Sequence, residues 1–249
     1  MRRILRLVGI LVGAFVALGL ANDWALSVGR AMRDRTSRNT FAAPKRLPSP
    51  DELVLERQLF AALLQGMALP STPLVVMDSD IPAAWIAVKE NYASDPELLK
   101  CMGDSDAALV LTHAILEGLL PEEKKAILAH EAFHLIAYGK WKRSKPLTSS
   151  PELPAEERRK KTLESNTQGE SNADLAAATI AGPDATIAGL RKIQKAEEAW
   201  DKRHYKWRQR QLLKLVWLWA YPDPHGTYEH RFAAIRKYQA EHMKKAGSN

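Results

Sequence analysis

Cysteine is nearly absent from the 249-residue chain. Cys101 stands alone, which excludes an intramolecular disulfide and a cysteine-rich zinc site. A glycine-rich phosphate loop, internal repeats and a serine-centred nucleophile motif are missing too, removing P-loop chemistry, solenoid architectures and serine-hydrolase chemistry. Acidic residues are outnumbered, 29 against 36 Lys and Arg, for a formal charge of +7 and a pI near 9.4. That balance suits an anionic membrane surface or nucleic acid, and as often marks only a solvated face. With 46% hydrophobic and 26% charged residues the composition is that of a globular chain rather than a disordered one. The length allows one good-sized domain with an anchor, or two small domains.

Long apolar runs are scarce as well, and the one at the amino terminus therefore stands out. Arg2, Arg3 and Arg6 precede an uncharged run from Leu7 to Ala21, the order of a basic and then an apolar region in an export signal. The run falls short of the ~20 residues of a spanning helix, although Arg6 can snorkel and lengthen it. Gly19-Leu20-Ala21 suits cleavage before Asn22. Residues 1–21 are thus expected to be a removed signal peptide or a retained membrane anchor. The flanking charges put the body of the protein on the extracytoplasmic side (the periplasm in a bacterium), against the pull of Arg30, Arg33, Arg35 and Arg38. Residues 22–50 read as a basic helix and a proline-marked linker. Ser49-Pro50-Asp51-Glu52 forms a capping box that opens a helix through about Met67. Leu74–Met77, Trp85–Val88 and Ala107–Thr112 read as strands, with Asn91–Asp106 a polar loop before the last. The fold class expected is α+β, mainly helical, with a small sheet and one domain over residues 51–245.

The densest chemistry lies in Ala129-His130-Glu131-Ala132-Phe133-His134-Leu135. Pro121 suits the first position of a helix, Glu122 and Glu123 its positive end, and Gly139 its stop. Four residues apart on such a helix, His130 and His134 project from one face and can share a Zn²⁺ ion. Glu131 can then reach water beside the ion without ligating it. This is the His-Glu-x-x-His pattern of zinc metalloproteases. A catalytic zinc takes three protein ligands. The third histidine of a metzincin would fall at position 140, which is Lys140. Glu170 is the preferred candidate over acids such as Glu164, because Gly169-Glu170-Ser171-Asn172-Ala173-Asp174 leads into an apolar helix running to about Ala181. Asp174, one turn on, can hold a ligating imidazole by its other N–H.

The segment Ala108–Ile136 resembles the core of the membrane zinc-protease family that groups HtpX-like proteases with the CAAX prenyl proteases. The likeness rests on the strand Leu109–Thr112, the helix and turn Ile115–Leu120, the acidic pair Glu122-Glu123 and the motif itself. The family's Glu-x-x-x-Asp element is matched by Glu170 and Asp174, and its following turn by Gly182-Pro183-Asp184. His225 and Arg231 resemble a further element whose side chains stabilise the tetrahedral intermediate. The likeness spans about residues 74–238. It departs at Gly226, a proline in the family, at Ala83, commonly asparagine, and in the 35 residues between His134 and Glu170, which lack added transmembrane helices. The resemblance implies a zincin-like domain with one Zn²⁺ per chain on His130, His134 and Glu170. Glu131 would be general base, with His225 and Arg231 beside the oxyanion. An extended polypeptide substrate would add to the edge strand ahead of the metal helix, read as Ala108, Leu109, Val110 and Leu111; the apolar content of that strand fits a purely core strand equally well.

Lys140–Gln168, charged and marked by Pro146, Pro151 and Pro154, reads as an exposed excursion between the ligand-bearing helices. Pro183 opens a long helix to about Tyr221, and a last one runs from about Tyr228 to Lys244. The Trp and Tyr residues interleaved with Lys and Arg between Trp200 and Trp219 are read as packing with snorkelling cations rather than nucleic-acid contact. The function expected is that of a zinc metalloendopeptidase, membrane-anchored or exported. Two alternatives stay open: a zinc-binding module without peptidase activity, and a basic membrane-associated binding protein whose motif is accidental.

Overall fold

The structure, a computed structural model, describes residues 43–143, 155–206 and 227–246. Two units separate, Ala43–Asp201 with Asp223–Asn249, and Met1–Ala42 with Lys202–Pro222. Of the second, only residues 202–206 are described. The expected amino-terminal signal or anchor and the basic helix after it lie outside the described residues, as does His225. No helix among the described residues is long and apolar enough to cross a membrane.

The first unit is α+β and mainly helical. Its sheet has the order β1-β2-β4-β3, from β1 (Lys45–Arg46), β2 (Leu74–Met77), β3 (Ala84–Val88) and β4 (Ala107–Thr112). Parallel pairing sets Leu74 opposite Leu109 and Met77 opposite Thr112, and antiparallel pairing sets Ala84 opposite Leu111 and Val88 opposite Ala107. β1 joins β2 antiparallel, inside what reads from sequence as linker. Six consecutive residues of β4 are buried because both faces of an inner strand are covered. Side chains alternate between those faces. Leu74, Val76, Leu109 and Leu111 pack with the helices that carry the site, whereas Val75, Met77, Ala108 and Val110 pack against Leu98 and Met102.

Those last two residues belong to α2 (Pro96–Met102), in the stretch expected to be loop. Asp95 accepts the Leu98 N–H at 3.0 Å and Pro96 follows it, an N-cap that outweighs the polar composition. Upstream, α1 (Val54–Gly66) begins later than the capping box implied. Ser49–Glu52 closes a turn of its own instead, and Leu53 sits at φ 51° before the helix starts. α1 buries Phe60, Leu63 and Leu64 along one stripe.

Three long helices and two shorter ones follow in the chain: α3 (His113–Leu116), α4 (Pro121–Arg143), α5 (Ala155–Ala181), α6 (Pro183–His204) and α7 (Tyr228–Ala246). α4 does not stop at Gly139, and α5 starts fifteen residues before Glu170 rather than at it. The expected excursion over 140–168 is therefore helical at both ends, with 144–154 outside the described residues. α4 and α5 pack along each other. Ala126, Ala129 and Ala132 on one and Ala173, Ala177 and Ala178 on the other are buried to 2% exposure or less, and small side chains let the axes approach. Between α5 and α6 the chain turns at Gly182, whose φ of 93° a residue with a side chain rarely adopts. Pro183 then supplies a first position that needs no N–H.

Candidate metal centre

α4 presents His130 and His134 one turn apart, with their Nε2 atoms 3.2 Å from each other. Glu170 reaches over from α5. Its Oε2 lies 3.2 Å from His130 Nε2 and its Oε1 3.4 Å from His134 Nε2. These three residues form a group that could hold a metal ion. Ligands about 2.0–2.1 Å from a tetrahedral centre stand about 3.3–3.4 Å apart, close to the separation of the two histidine nitrogens, while the contacts of Glu170 fall on its two different oxygens and one ligand atom from each residue lies within 4.8 Å of the others. Two imidazole nitrogens and a carboxylate oxygen also form the donor type that suits zinc. The residues present fit the ion.

Behind His130 the arrangement is tightly organised. His130 Nδ1 lies 3.0 Å from Asp174 Oδ1, one turn beyond Glu170 on α5. Asp174, 1% exposed, accepts Arg231 Nε at 2.7 Å on Oδ2 and Arg231 Nη2 at 2.6 Å on Oδ1. Such a two-pronged, charge-assisted contact fixes the carboxylate in rotation as well as position. Arg231 comes from the first turn of α7, so three helices meet here. The resemblance implied a role beside the oxyanion for Arg231; two of its donors are held by Asp174, and the residue also lines the cleft beside the metal group.

Burial acts on each of these groups and loses to its neighbours. Burial lowers the affinity of His130 for a proton, yet hydrogen bonds to Asp174 and Glu170 overcome it and push the pKa up to about 9. Burial likewise raises Asp174, while Arg231 and His130 hold it below the ordinary carboxylate range. Burial opposes the charge on Arg231, and Asp174 raises its pKa nonetheless. Nitrogen ligands must be deprotonated to bind a metal, so a proton and a cation compete for His130 Nε2.

The other side of the group opens on a cleft of about 740 Å³. The side chain of His134 is 26% exposed, against 9% for His130. Glu131 lines the cleft beside the two histidines and is itself buried. Pro82–Ile86 and Val88 form one wall, Leu190, Ile193 and Glu197 of α6 another, and Tyr228 and Arg231 of α7 contribute as well.

The wall at Ala84–Val88 corrects the expected substrate strand. Ala108, Leu109, Val110 and Leu111 lie in β4, hydrogen-bonded to a strand on each side and almost fully buried. Their peptide groups are already used. The edge strand beside the metal group is β3, which the chain reaches before β4. Strand order is set by pairing across the sheet, and sequence proximity to the metal helix does not reveal it. Tyr228 and Glu197, joined by a 2.8 Å hydrogen bond in the cleft, are further site residues that motif reading passes over. Helical spacing is the signal that finds them: Tyr228 lies three residues before Arg231, and Glu197 seven after Leu190. No protein-family model and no curated protein matches the chain.

Proposed function

We propose that the chain is a zinc-dependent metalloendopeptidase on a zincin-like scaffold, of the kind represented by HtpX-like and CAAX prenyl proteases. The observation that supports this best is the convergence of His130, His134 and Glu170 into a group that could hold a metal ion, with Glu131 beside them on an open cleft. His130, His134 and Glu170 would hold the ion. Zinc, when bound, supplies Lewis acidity that polarises a peptide carbonyl and lowers the pKa of water towards about 7.

The chain's own groups do the remaining work. The Glu131 carboxylate takes a proton from the attacking water, whose oxygen goes to the carbonyl carbon. It returns that proton to the nitrogen that leaves as the C–N bond breaks. Asp174 keeps His130 turned so that Nε2 faces His134 and Glu170, and Arg231 keeps Asp174 in place. The outer edge of β3 takes an extended polypeptide by strand addition. Residues 1–21 direct the protein to a membrane or across it.

Glu131→Gln tests the assignment. Peptide or casein cleavage should fall on the order of 10²–10⁴-fold with zinc content unchanged. Retained cleavage in a metal-loaded variant would exclude Glu131 as the base. Zinc uptake without cleavage by the native chain would identify a binding module instead.

A further inference from the structure

A second cleft, of about 560 Å³, lies between α1 and the chain that leads into β2. It shares no lining residue with the cleft of the metal group, so what it takes up is independent of the peptidase reading. Its size falls in the range of about 300–1,000 Å³ usual for small-molecule sites. On α1, Arg57, Phe60, Ala61 and Leu64 line it at intervals of three and four residues, hence from one helical face. Phe60 and Leu64 are buried and, with buried Leu74 of β2, give the cleft an apolar floor. Leu47, 53% exposed, lines it from just beyond β1.

Arg57 is the single charged side chain among the described residues that line this cleft. Its Nη2 donates to the Pro50 carbonyl. Its Nε–H is buried without an acceptor, and no carboxylate among the described residues pairs with it. Other arginines of the same unit are placed differently: Arg46 is held by Glu52, and Arg231 by Asp174. A guanidinium has five N–H donors in a fixed fork that matches a carboxylate. A buried donor without an acceptor is costly, and an incoming carboxylate relieves that cost by drawing this edge of the guanidinium towards it.

We propose that this cleft is a binding site for an amphiphilic carboxylate, an alkyl chain ending in a free acid, with the acid on Arg57 and the chain along Phe60, Leu64 and Leu74. From Arg57 to Leu64 the helix rises about 10 Å, and a medium-length alkyl chain lies along that span. Each methylene buried there should raise affinity roughly fourfold. A polypeptide carboxy terminus fits less well, because the apolar floor offers its peptide groups no partners. An alcohol of the same length keeps the tail and loses the charge, and acetate keeps the charge and loses the tail.

Decanoate bearing a photoreactive diazirine on its alkyl chain tests this on the full chain. After irradiation, peptide mapping should place the label within residues 47–74. Unlabelled decanoate should displace it at a concentration at least tenfold lower than decanol, acetate or inorganic phosphate requires. Arg57→Gln should weaken labelling roughly tenfold. Ala61→Trp, at an exposed position of the lining, should fill the cleft and abolish labelling, and circular dichroism checks that each variant is folded. Should Arg57→Gln fail to fold, Ala61→Trp and the competitors still decide. Label found elsewhere, or unaffected by either folded variant, overturns the site. Decanol as effective as decanoate overturns the role of Arg57, and acetate or phosphate as effective reduces the cleft to a simple anion site. More effective displacement by a peptide ending in leucine would replace the alkyl acid with a polypeptide terminus and overturn the proposal as well.

Discussion

Helix α4 buries charge in two places, and the two are built differently. At its first turn every acid meets an amine. Glu123 Oε2 accepts the Leu120 N–H at 2.7 Å and Lys192 Nζ at 2.6 Å, and Lys124 Nζ meets Glu56 Oε1 at 2.6 Å. Two turns further on, three carboxylates (Glu131, Glu170 and Asp174) gather round two imidazoles whose nitrogens converge. Arg231 pairs with one of the three, Asp174, and Glu170 converges with the two imidazoles on a position that could hold a metal ion. A closed pair spends its electrostatics on the fold. In an acid-rich cluster with converging lone pairs, Glu131 and Glu170 should matter to the ligand more than to folding, whereas Asp174, paired with Arg231, bears on both.

The largest effect that would break this contrast is expected at Asp174. Asp174→Asn keeps the shape but gives up the charged acceptor for His130, and should weaken zinc binding about 10- to 100-fold in a competition titration with a chromophoric chelator. Unchanged affinity would make Asp174 a structural group like Glu123.

At the first turn the pattern should reverse. Glu123→Ala removes a cap for the Leu120 N–H and the partner of Lys192, and should cost about 1–3 kcal/mol in denaturant unfolding with zinc content intact. Loss of zinc there would mean that the two regions are coupled.

The smallest effect concerns a surface cluster that sharpens the contrast from outside. Glu52 is held at a pKa of about 2 by Arg46, by the Ser49 N–H and by His113. A depressed carboxylate contributes stability above its ordinary value near 4.5, and that contribution is lost as pH falls through 2. Thermal unfolding between those values should therefore fall less steeply in Glu52→Gln, and salt should shrink the difference because the groups are exposed.

The residues of the metal group were legible in the chain because each obeys a local rule. His130 and His134 share a helical face by spacing alone, and Glu170 with Asp174 repeats that spacing before an apolar run. Strands β2, β3 and β4 were legible to within a residue from their apolar content. Element ends were not. Gly139 costs about 1 kcal/mol in a helix, and the contact of α4 with α5 outweighs it. Residues 155–168 carry no apolar stripe, but Ala, Glu, Arg and Lys are good helix formers and extend α5 backward from its buried half. The place of β4 inside the sheet and the grip of Arg231 on Asp174 join residues far apart in the chain, and no local pattern encodes such pairings.

Zinc stoichiometry tests the central claim most directly. Metal analysis of the purified chain should find one zinc per molecule. Glu170→Gln, like His130→Ala and His134→Ala, should lose most of it after dialysis while remaining folded by circular dichroism. One zinc retained at undiminished affinity in Glu170→Gln, or no zinc in the native chain after incubation with the metal, would contradict a site built from α4 and α5.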